Sequence, residues 1–170
     1  MSIEHYKKRY FVSSSKVFRI KKKELWDLIS SPGVLKLCHP FCKSNEVIHW
    51  GPDNYSDELI YLNDLKYIRK FQNWNPLEGY DLLIGKLNGL QSYVLWELNE
   101  LDKNNCSLKI TVFPYLFTNL GKVFSFLPFM LYVKPRLKKY LNSVLSGFEY
   151  YLLHDEEVPR NCFGKHKWFS

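Results

Sequence analysis

The clearest hydrophobic pattern in the chain is a helical stripe near its C-terminal end. Apolar residues recur there at the three- and four-residue intervals of one helix face, at Leu137, Tyr140, Leu141, Val144, Leu145, Phe148, Tyr151 and Leu152. Pro135 precedes the stripe, and the first turn of a helix tolerates proline. The pattern predicts an amphipathic helix of about five turns, whose apolar face must pack against a large surface.

Upstream of this helix, apolar and polar residues alternate with a period of two, which is typical of half-buried strands. The predicted strands cover residues 45–50, 56–62, 65–74, 80–87, 92–101 and 107–115. Short turn-forming segments separate them, for example Asn88-Gly89, and short turns between alternating runs indicate an antiparallel meander of hairpins. One face of this sheet is predicted to be covered and the other to face water.

The N-terminal part of the chain predicts a strand at residues 10–20, a short helix at 22–30 and a further helical turn at 34–37. Pro32 and Gly33 end the first helix, because proline lacks a backbone donor and restricts the residue before it. No repeat, low-complexity tract or flexible linker divides the sequence. We therefore predict one domain over residues 1–170, with a core at 10–153, an apolar insertion at 116–133 and a tail at 154–170.

This order of elements resembles the helix-grip fold of the SRPBCC superfamily. The superfamily includes the START lipid-transfer domains, the birch-pollen-allergen-like proteins and the polyketide cyclase/dehydrase-like proteins. The local markers are residues 23–30, KELWDLIS, leading to residues 37–41, LCHPF, and the Pro135-Arg136-Leu137 start of the last helix. The resemblance implies an α+β fold in which a curved antiparallel sheet wraps around the long C-terminal helix and encloses a hydrophobic cavity. It carries over no catalytic residue, because the superfamily shares none.

Composition adds an unusual aromatic content and an excess of positive charge. Tyr, Phe and Trp make up 17% of the chain, and aromatic rings suit the wall of an apolar pocket as well as a core. The net charge is +7, and basic clusters can attract nucleic acid, anionic lipid or acidic substrates, or can simply be a solvated face. We predict no nucleic-acid partner, because no nucleic-acid-binding module is recognisable and the aromatic residues follow core periodicity.

The N-terminal residues and the cysteines bear on location. The first nine residues are polar and charged and do not resemble a signal peptide, so we expect a cytoplasmic protein with reduced thiols. The apolar uncharged stretch at residues 123–133 is shorter than a membrane-spanning helix and contains Pro128. No membrane span is predicted.

The candidate ligand-binding residues are the large side chains that the apolar register of each element directs inward, together with one arginine on the same face. They are Tyr61, Tyr67, Arg69, Phe71, Tyr80, Trp96, Tyr140 and Phe148. Arg69 requires a partner if it is buried. That partner is either a carboxylate or phosphate of the ligand, or a carboxylate of the protein itself. The remaining alternative is a strand-end position that is open to water.

Metal and catalytic motifs are weak in this sequence. Cys38 with Cys42 and Cys162 with His166 have loose zinc-ligand spacing, but free cysteine is commonly a small buried hydrophobe, so no metal or cofactor is predicted. No nucleophile, base and orienting group form a recognisable motif. His39 is the best candidate for a general base, and a structural imidazole is the alternative.

The sequence therefore favours binding or transport of an apolar, lipid-like or polycyclic molecule between the sheet and the last helix. The alternative is a small cyclase, dehydratase or hydrolase that acts in the same cavity. The insertion at 116–133 has three interpretations: extra core, a lid over the ligand, or a peripheral contact with an anionic membrane surface. Pro114, Gly121 and Pro128 predict that it has no strand or long helix.

Overall fold

The computed structural model describes residues 3–116 and 122–170, so residues 117–121 of the predicted insertion lie outside the described residues. Its elements, in chain order, are α1 (Ile3–Lys7), β1 (Val12–Phe18), α2 (Lys22–Ile29), α3 (Leu35–Cys38), β2 (Cys42–Gly51), β3 (Asn54–Tyr61), β4 (Lys66–Asn75), β5 (Gly79–Gly85), β6 (Gln91–Asp102), β7 (Asn105–Phe113), α4 (Lys122–Pro128), a π-helical turn (Phe129–Val133) and α5 (Lys134–His154). All of the predicted strands and helices are present, with bounds that differ by a few residues. Helix α1 was not predicted, because its five residues carry no apolar period.

The strands of the described residues form one antiparallel sheet in the order β1-β7-β6-β5-β4-β3-β2. Strands β2 to β7 are a meander of hairpins, as the turn chemistry predicts. Strand β1 forms the edge of the sheet opposite β2 and pairs with β7, in a register that places Val12 opposite Val112. This sheet with its long C-terminal helix confirms the predicted α+β helix-grip class.

Bulges bend the strands that form the wall around α5. Lys43 is an extra residue in β2 where that strand pairs with β3, and Gln72 is an extra residue in β4 where it pairs with β5. An extra residue on one strand bends that strand and increases its twist. The bulges therefore help the sheet to curve around a helix.

Helix α5 packs on the concave face through the predicted apolar stripe. Leu141, Leu145 and Phe148 are almost completely buried. Gly147 lies so close to α3 that a Cβ atom there would be 2.0 Å from the Cys38 carbonyl oxygen. The absence of a side chain at this one position lets the helix approach the loop after α3.

The described part of the insertion is helical, which corrects the prediction that no long helix forms there. Helix α4 begins at Lys122, contains Pro128 at its last position, and continues through the π-helical turn into α5 without a break. Phe129 and Val133 face the core, whereas Phe124 and Leu131 are exposed. No helix within residues 3–116 and 122–170 is both long and apolar enough to cross a membrane.

The C-terminal tail packs against the domain. The backbone amide of Val158 donates to the Leu37 carbonyl at 2.9 Å, and that of Asn161 donates to the Pro40 carbonyl at 2.9 Å. Phe169, one residue from the end, is buried in the core. These contacts hold the tail beside α3 and the N-terminal half of α5.

Candidate functional site

A cavity of about 450 Å³ lies between the concave face of the sheet and α5. Strands β3 to β7 supply its wall, α5 and the π-helical turn supply one side, and the C-terminal tail supplies another. Its volume lies in the range of small-molecule sites, and its wall is mostly aliphatic and aromatic. A cavity of this kind suits an apolar molecule that makes few polar contacts.

Five of the eight predicted site residues line this cavity: Tyr61, Tyr67, Arg69, Trp96 and Tyr140. The other three, Phe71, Tyr80 and Phe148, lie behind Trp96 and form its closed end. The ring centroids of Phe71 and Tyr80 are 5.1 Å apart, those of Tyr80 and Trp96 are 5.3 Å apart, and those of Trp96 and Phe148 are 5.6 Å apart.

Helix α2 explains why these three rings lie outside the cavity. Trp26 of α2 packs on Tyr80 and on Trp74, so aromatic rings fill this end of the concave face. The strand register correctly gave Phe71 and Tyr80 an inward direction. It contained no information about which end of the groove α2 covers.

Arg69 is paired with a carboxylate of the protein. It lies opposite Asp57 in the β3–β4 ladder, and its Nε donates to Asp57 Oδ1 at 2.7 Å while its Nη2 donates to Oδ2. Both side chains are buried. Of the three interpretations of Arg69, the structure has the internal salt bridge, and a ligand anion is not needed to satisfy the guanidinium.

A hydrogen-bonded chain of three rings reaches the cavity wall. The backbone amide of Phe41 donates to His39 Nδ1 at 3.2 Å, so the proton of the neutral imidazole is on Nε2. His39 Nε2 lies 2.9 Å from the Tyr140 hydroxyl, which lies 3.2 Å from the Tyr61 hydroxyl. The imidazole therefore donates to Tyr140.

The three hydrogen-bonded rings carry one more polar proton than the number of hydrogen bonds between them. The His39 Nε2 proton and the two tyrosine hydroxyl protons supply two hydrogen bonds, so one hydroxyl proton has no acceptor among the described residues. It is carried by Tyr61 or Tyr140, and both line the cavity. The Tyr61–Tyr140 pair thus presents one hydrogen-bond donor to the cavity, and the Tyr67 and Tyr115 hydroxyls, 3.0 Å apart, also line it.

Burial keeps all three groups of this chain neutral. It lowers the pKa of His39 to about 3, with a further contribution from the Arg69 charge. Burial also raises the pKa of Tyr140 to about 12 and that of Tyr61 well above its usual value. The tyrosine hydroxyls are therefore hydrogen-bond donors at neutral pH, and the neutral imidazole of His39 donates to Tyr140.

The C-terminal tail covers the hydrogen-bonded rings of Tyr61 and Tyr140, a position that the sequence pattern does not predict. The ring of Phe169 stacks on Tyr61 with centroids 4.4 Å apart and packs on Tyr140 at 4.6 Å. His166 stacks on Phe169 and lies with its Nε2 3.1 Å from the Arg136 carbonyl oxygen. Trp168 and Phe169 both line the cavity. Their aperiodic segment carries no pattern that predicts a partner.

The cysteines do not form a metal centre in the described part of the chain. Cys38, Cys42 and Cys106 are buried, Cys162 is exposed, and all four are free thiols. Within residues 3–116 and 122–170, no three His, Cys, Asp or Glu side chains lie close enough to hold a metal ion. Burial raises the pKa of the Cys42 thiol to about 12, so this thiol is not reactive at neutral pH.

No protein-family model and no curated protein matches this chain. Solved structures do match it. A START superfamily protein from Mycobacterium smegmatis has a TM-score of 0.58 and 11% identity, over 86% of this chain and 97% of that one. Ara h 8.0201 has a TM-score of 0.57 and 12% identity, over 85% and 97%. The di-domain ARO/CYC StfQ from the steffimycin biosynthetic pathway has a TM-score of 0.58 and 7% identity, over 82% and 44%.

The chain has the helix-grip fold. At the level of the fold, these solved structures confirm the resemblance found in the sequence. At these identities the likeness extends to the fold and not to an activity. The cavity lies where the sheet and the last helix face each other. Evidence about its ligand therefore comes from the residues of this chain.

Proposed function

We propose that this protein binds an uncharged, apolar small molecule, lipid-like or polycyclic, which accepts one hydrogen bond from the Tyr61–Tyr140 pair. The observation that carries the proposal is the unused hydroxyl proton of this pair in a mostly apolar cavity. A buried donor without an acceptor is costly, and a carbonyl, hydroxyl or ether oxygen of a ligand would satisfy it.

Charge in the cavity supports an uncharged ligand. Arg69 is neutralised by Asp57, and His39 is neutral. Among the described lining residues, the remaining charged group is Lys86, which lies exposed in the turn after β5. A ligand anion deep in the cavity would therefore lose its hydration without gaining an unpaired cation.

The first test is native mass spectrometry of the purified protein, which should reveal a co-purified small molecule of low polarity. The second test uses two neutral fluorescent probes. Prodan is a naphthalene that carries a ketone oxygen, whereas N-phenyl-1-naphthylamine has a similar apolar body and no carbonyl. We expect the protein to bind both probes with an increase in fluorescence. Failure to bind either probe, with no co-purified molecule, would refute the proposal.

Matched variants test the hydrogen bond itself. Tyr61→Phe combined with Tyr140→Phe removes both hydroxyl donors and keeps both rings, and His39→Leu is added because the His39 Nε2 proton would otherwise lose its acceptor and become the donor. In this variant prodan affinity should fall about fivefold and that of N-phenyl-1-naphthylamine should stay unchanged. Tyr80→Phe is the control, because the Tyr80 hydroxyl bonds to the Ile29 carbonyl outside the cavity. Equal losses for both probes would show that the tyrosines only shape the wall.

A cyclase, dehydratase or hydrolase in the same cavity is the second candidate, favoured by the convergence of His39, Tyr140 and Tyr61 on one spot. Two similar solved structures are described as a protein of the dynemicin biosynthetic locus and an ARO/CYC of the steffimycin pathway. With these protonation states, such an enzyme would act by donating a hydrogen bond to a carbonyl, not by removing a proton. Turnover of the co-purified molecule, followed by mass spectrometry and lost in Tyr61→Phe, would favour this candidate over a binder.

A further inference from the structure

The described part of the insertion carries an apolar stripe on its outer face. Ser125, Phe129 and Val133 recur every four residues and are buried against the domain. On the opposite face, Phe124 is 79% exposed, Leu127 63% and Leu131 75%. A surface helix normally places polar residues on that face, so three large exposed side chains in one stripe indicate a partner.

Positive charge continues the stripe along the same helix. Lys134, Arg136, Lys138 and Lys139 follow within two turns, and none of them pairs with a carboxylate of the described residues. Three of the four donate to backbone carbonyl groups, which leaves their charge uncompensated. An anionic surface is the chemical complement of an apolar stripe beside such a cluster.

A second apolar site lies at the same end of the molecule. Leu87 and Leu90 in the turn between β5 and β6 are 66% and 57% exposed. That turn lies at the end of the sheet where β7 finishes and from which the chain runs towards α4. Lys86 in this turn and Tyr132 in the π-helical turn both line the cavity, so these exposed leucines and the stripe flank its open end.

We propose that this end of the molecule docks on an anionic membrane surface. The apolar stripe of Phe124, Leu127 and Leu131 enters the boundary between headgroups and acyl chains, and the lysines that follow contact anionic headgroups. This inference goes beyond ligand binding. In this arrangement the open end of the cavity faces the bilayer surface.

Sedimentation with lipid vesicles tests the proposal. We expect the protein to bind vesicles of phosphatidylcholine with about 30% phosphatidylserine at low salt, and about tenfold less in about 0.5 M salt, because salt screens the lysines. Vesicles of phosphatidylcholine alone should retain much less protein. No binding to anionic vesicles at low salt, or equal binding to both lipid compositions, would overturn the proposal.

Matched variants separate the stripe from general stickiness. Phe124→Ser with Leu131→Ser should lower vesicle binding about tenfold and leave the unfolding temperature unchanged, because both side chains are exposed. Leu101→Ser with Leu153→Ser removes two comparably exposed leucines at the opposite end and should bind like the parent. Equal loss in both variants would overturn the proposal.

The contribution of the lysines to vesicle binding is tested with a second pair of variants. Lys134→Gln with Lys138→Gln should lower binding to anionic vesicles several-fold, whereas Lys21→Gln with Lys103→Gln at the far end should not.

A second copy of this chain is the other candidate for the stripe. If size-exclusion chromatography gives a dimer that the Phe124→Ser, Leu131→Ser variant abolishes, the stripe is a protein interface and the membrane proposal fails.

Discussion

Asp57 and Arg69 illustrate how far single residues can be interpreted from sequence. The inward direction of Arg69 follows from strand periodicity, and its need for a partner follows from burial. Asp57 faces Arg69 across the β3–β4 hairpin, so the register set by the short turn at Asn63-Asp64 contained this partner. Periodicity within a single strand does not identify this pair, because the partner lies on the neighbouring strand.

The ion pair predicts an asymmetric result in a double-mutant cycle. Arg69→Met leaves a buried carboxylate without a partner and should lower the free energy of unfolding by about 3–5 kcal/mol. Adding Asp57→Leu should restore much of that loss, because two apolar side chains then replace two charges. Urea unfolding of the two single variants and the double variant measures the coupling. Additive losses would show that the charges do not interact.

His39 predicts a pH dependence of stability. Its pKa is about 3 in the folded protein, against an ordinary value of 6.5, because burial disfavours the imidazolium. Between these two pH values the unfolded chain binds a proton that the native state does not bind. The stabilising contribution is therefore complete above about pH 6.5 and is lost as the pH falls towards 3.

The measurement compares the free energy of unfolding at pH 7 and pH 5. The native protein should lose about 2 kcal/mol more than a His39→Gln variant over this interval, since one proton is worth about 1.4 kcal/mol per pH unit. An identical pH dependence in the two proteins would mean that His39 does not carry the effect. His49→Gln is the control, because His49 is exposed in β2.

At the scale of elements, periodic segments were predictable and aperiodic ones were not. The α5 stripe and the meander followed directly from spacings of 3.6 and 2. The sequence does not predict helix α4, because Pro128 indicates a helix break. In the structure Pro128 is the last residue of α4 and is followed directly by the π-helical turn. The docking site of the tail has no local signal, because it depends on rings supplied by β3 and α5.

The α5 stripe should be essential for folding. Leu141→Ala or Leu145→Ala should lower the free energy of unfolding by about 2–5 kcal/mol, since each truncation leaves a cavity at a fully buried site. Leu153→Ala, on the exposed side of the last turn, should change it by less than about 0.5 kcal/mol. Chemical unfolding measures all three. Similar small losses would contradict the packing of this helix.

Gly147 should resist a substitution that usually stabilises helices. At an exposed helical site, Gly→Ala gains up to about 1 kcal/mol. At Gly147 the new Cβ would meet the Cys38 carbonyl oxygen at 2.0 Å, so Gly147→Ala should instead destabilise the protein by about 1–3 kcal/mol. Ser146→Ala, on the same turn, should stay within about 0.5 kcal/mol. A stabilised Gly147→Ala variant would show that α5 shifts easily away from α3.

At the scale of the whole molecule, the groove has a closed end and an open end. The Trp26, Trp74 and Tyr80 cluster under α2 fills one end with aromatic rings. The tail, the π-helical turn and the β5–β6 turn surround the other end. The general position of the cavity was predictable from the resemblance, but its boundaries depend on α2 and the tail.

The tail should control passage between the cavity and solvent. Phe169→Ala removes the ring that stacks on Tyr61 and should speed both entry and release of prodan about tenfold. Phe163→Ala is the matched control, because Phe163 lies in the same tail, is partly exposed and does not line the cavity. Stopped-flow fluorescence measures the rates. Unchanged rates in Phe169→Ala would show that ligands pass elsewhere.

The sheet order has a consequence for how the protein is made. Strand β1 leaves the ribosome first, yet its partner β7 ends at Phe113, late in the chain. The hairpins from β2 to β7 can form one after another as they emerge, while β1 waits unpaired until β7 appears. Ser13, Ser14 and Ser15 at the centre of β1 keep this waiting segment polar. The first strand of the sequence is thus the last to join the sheet during synthesis.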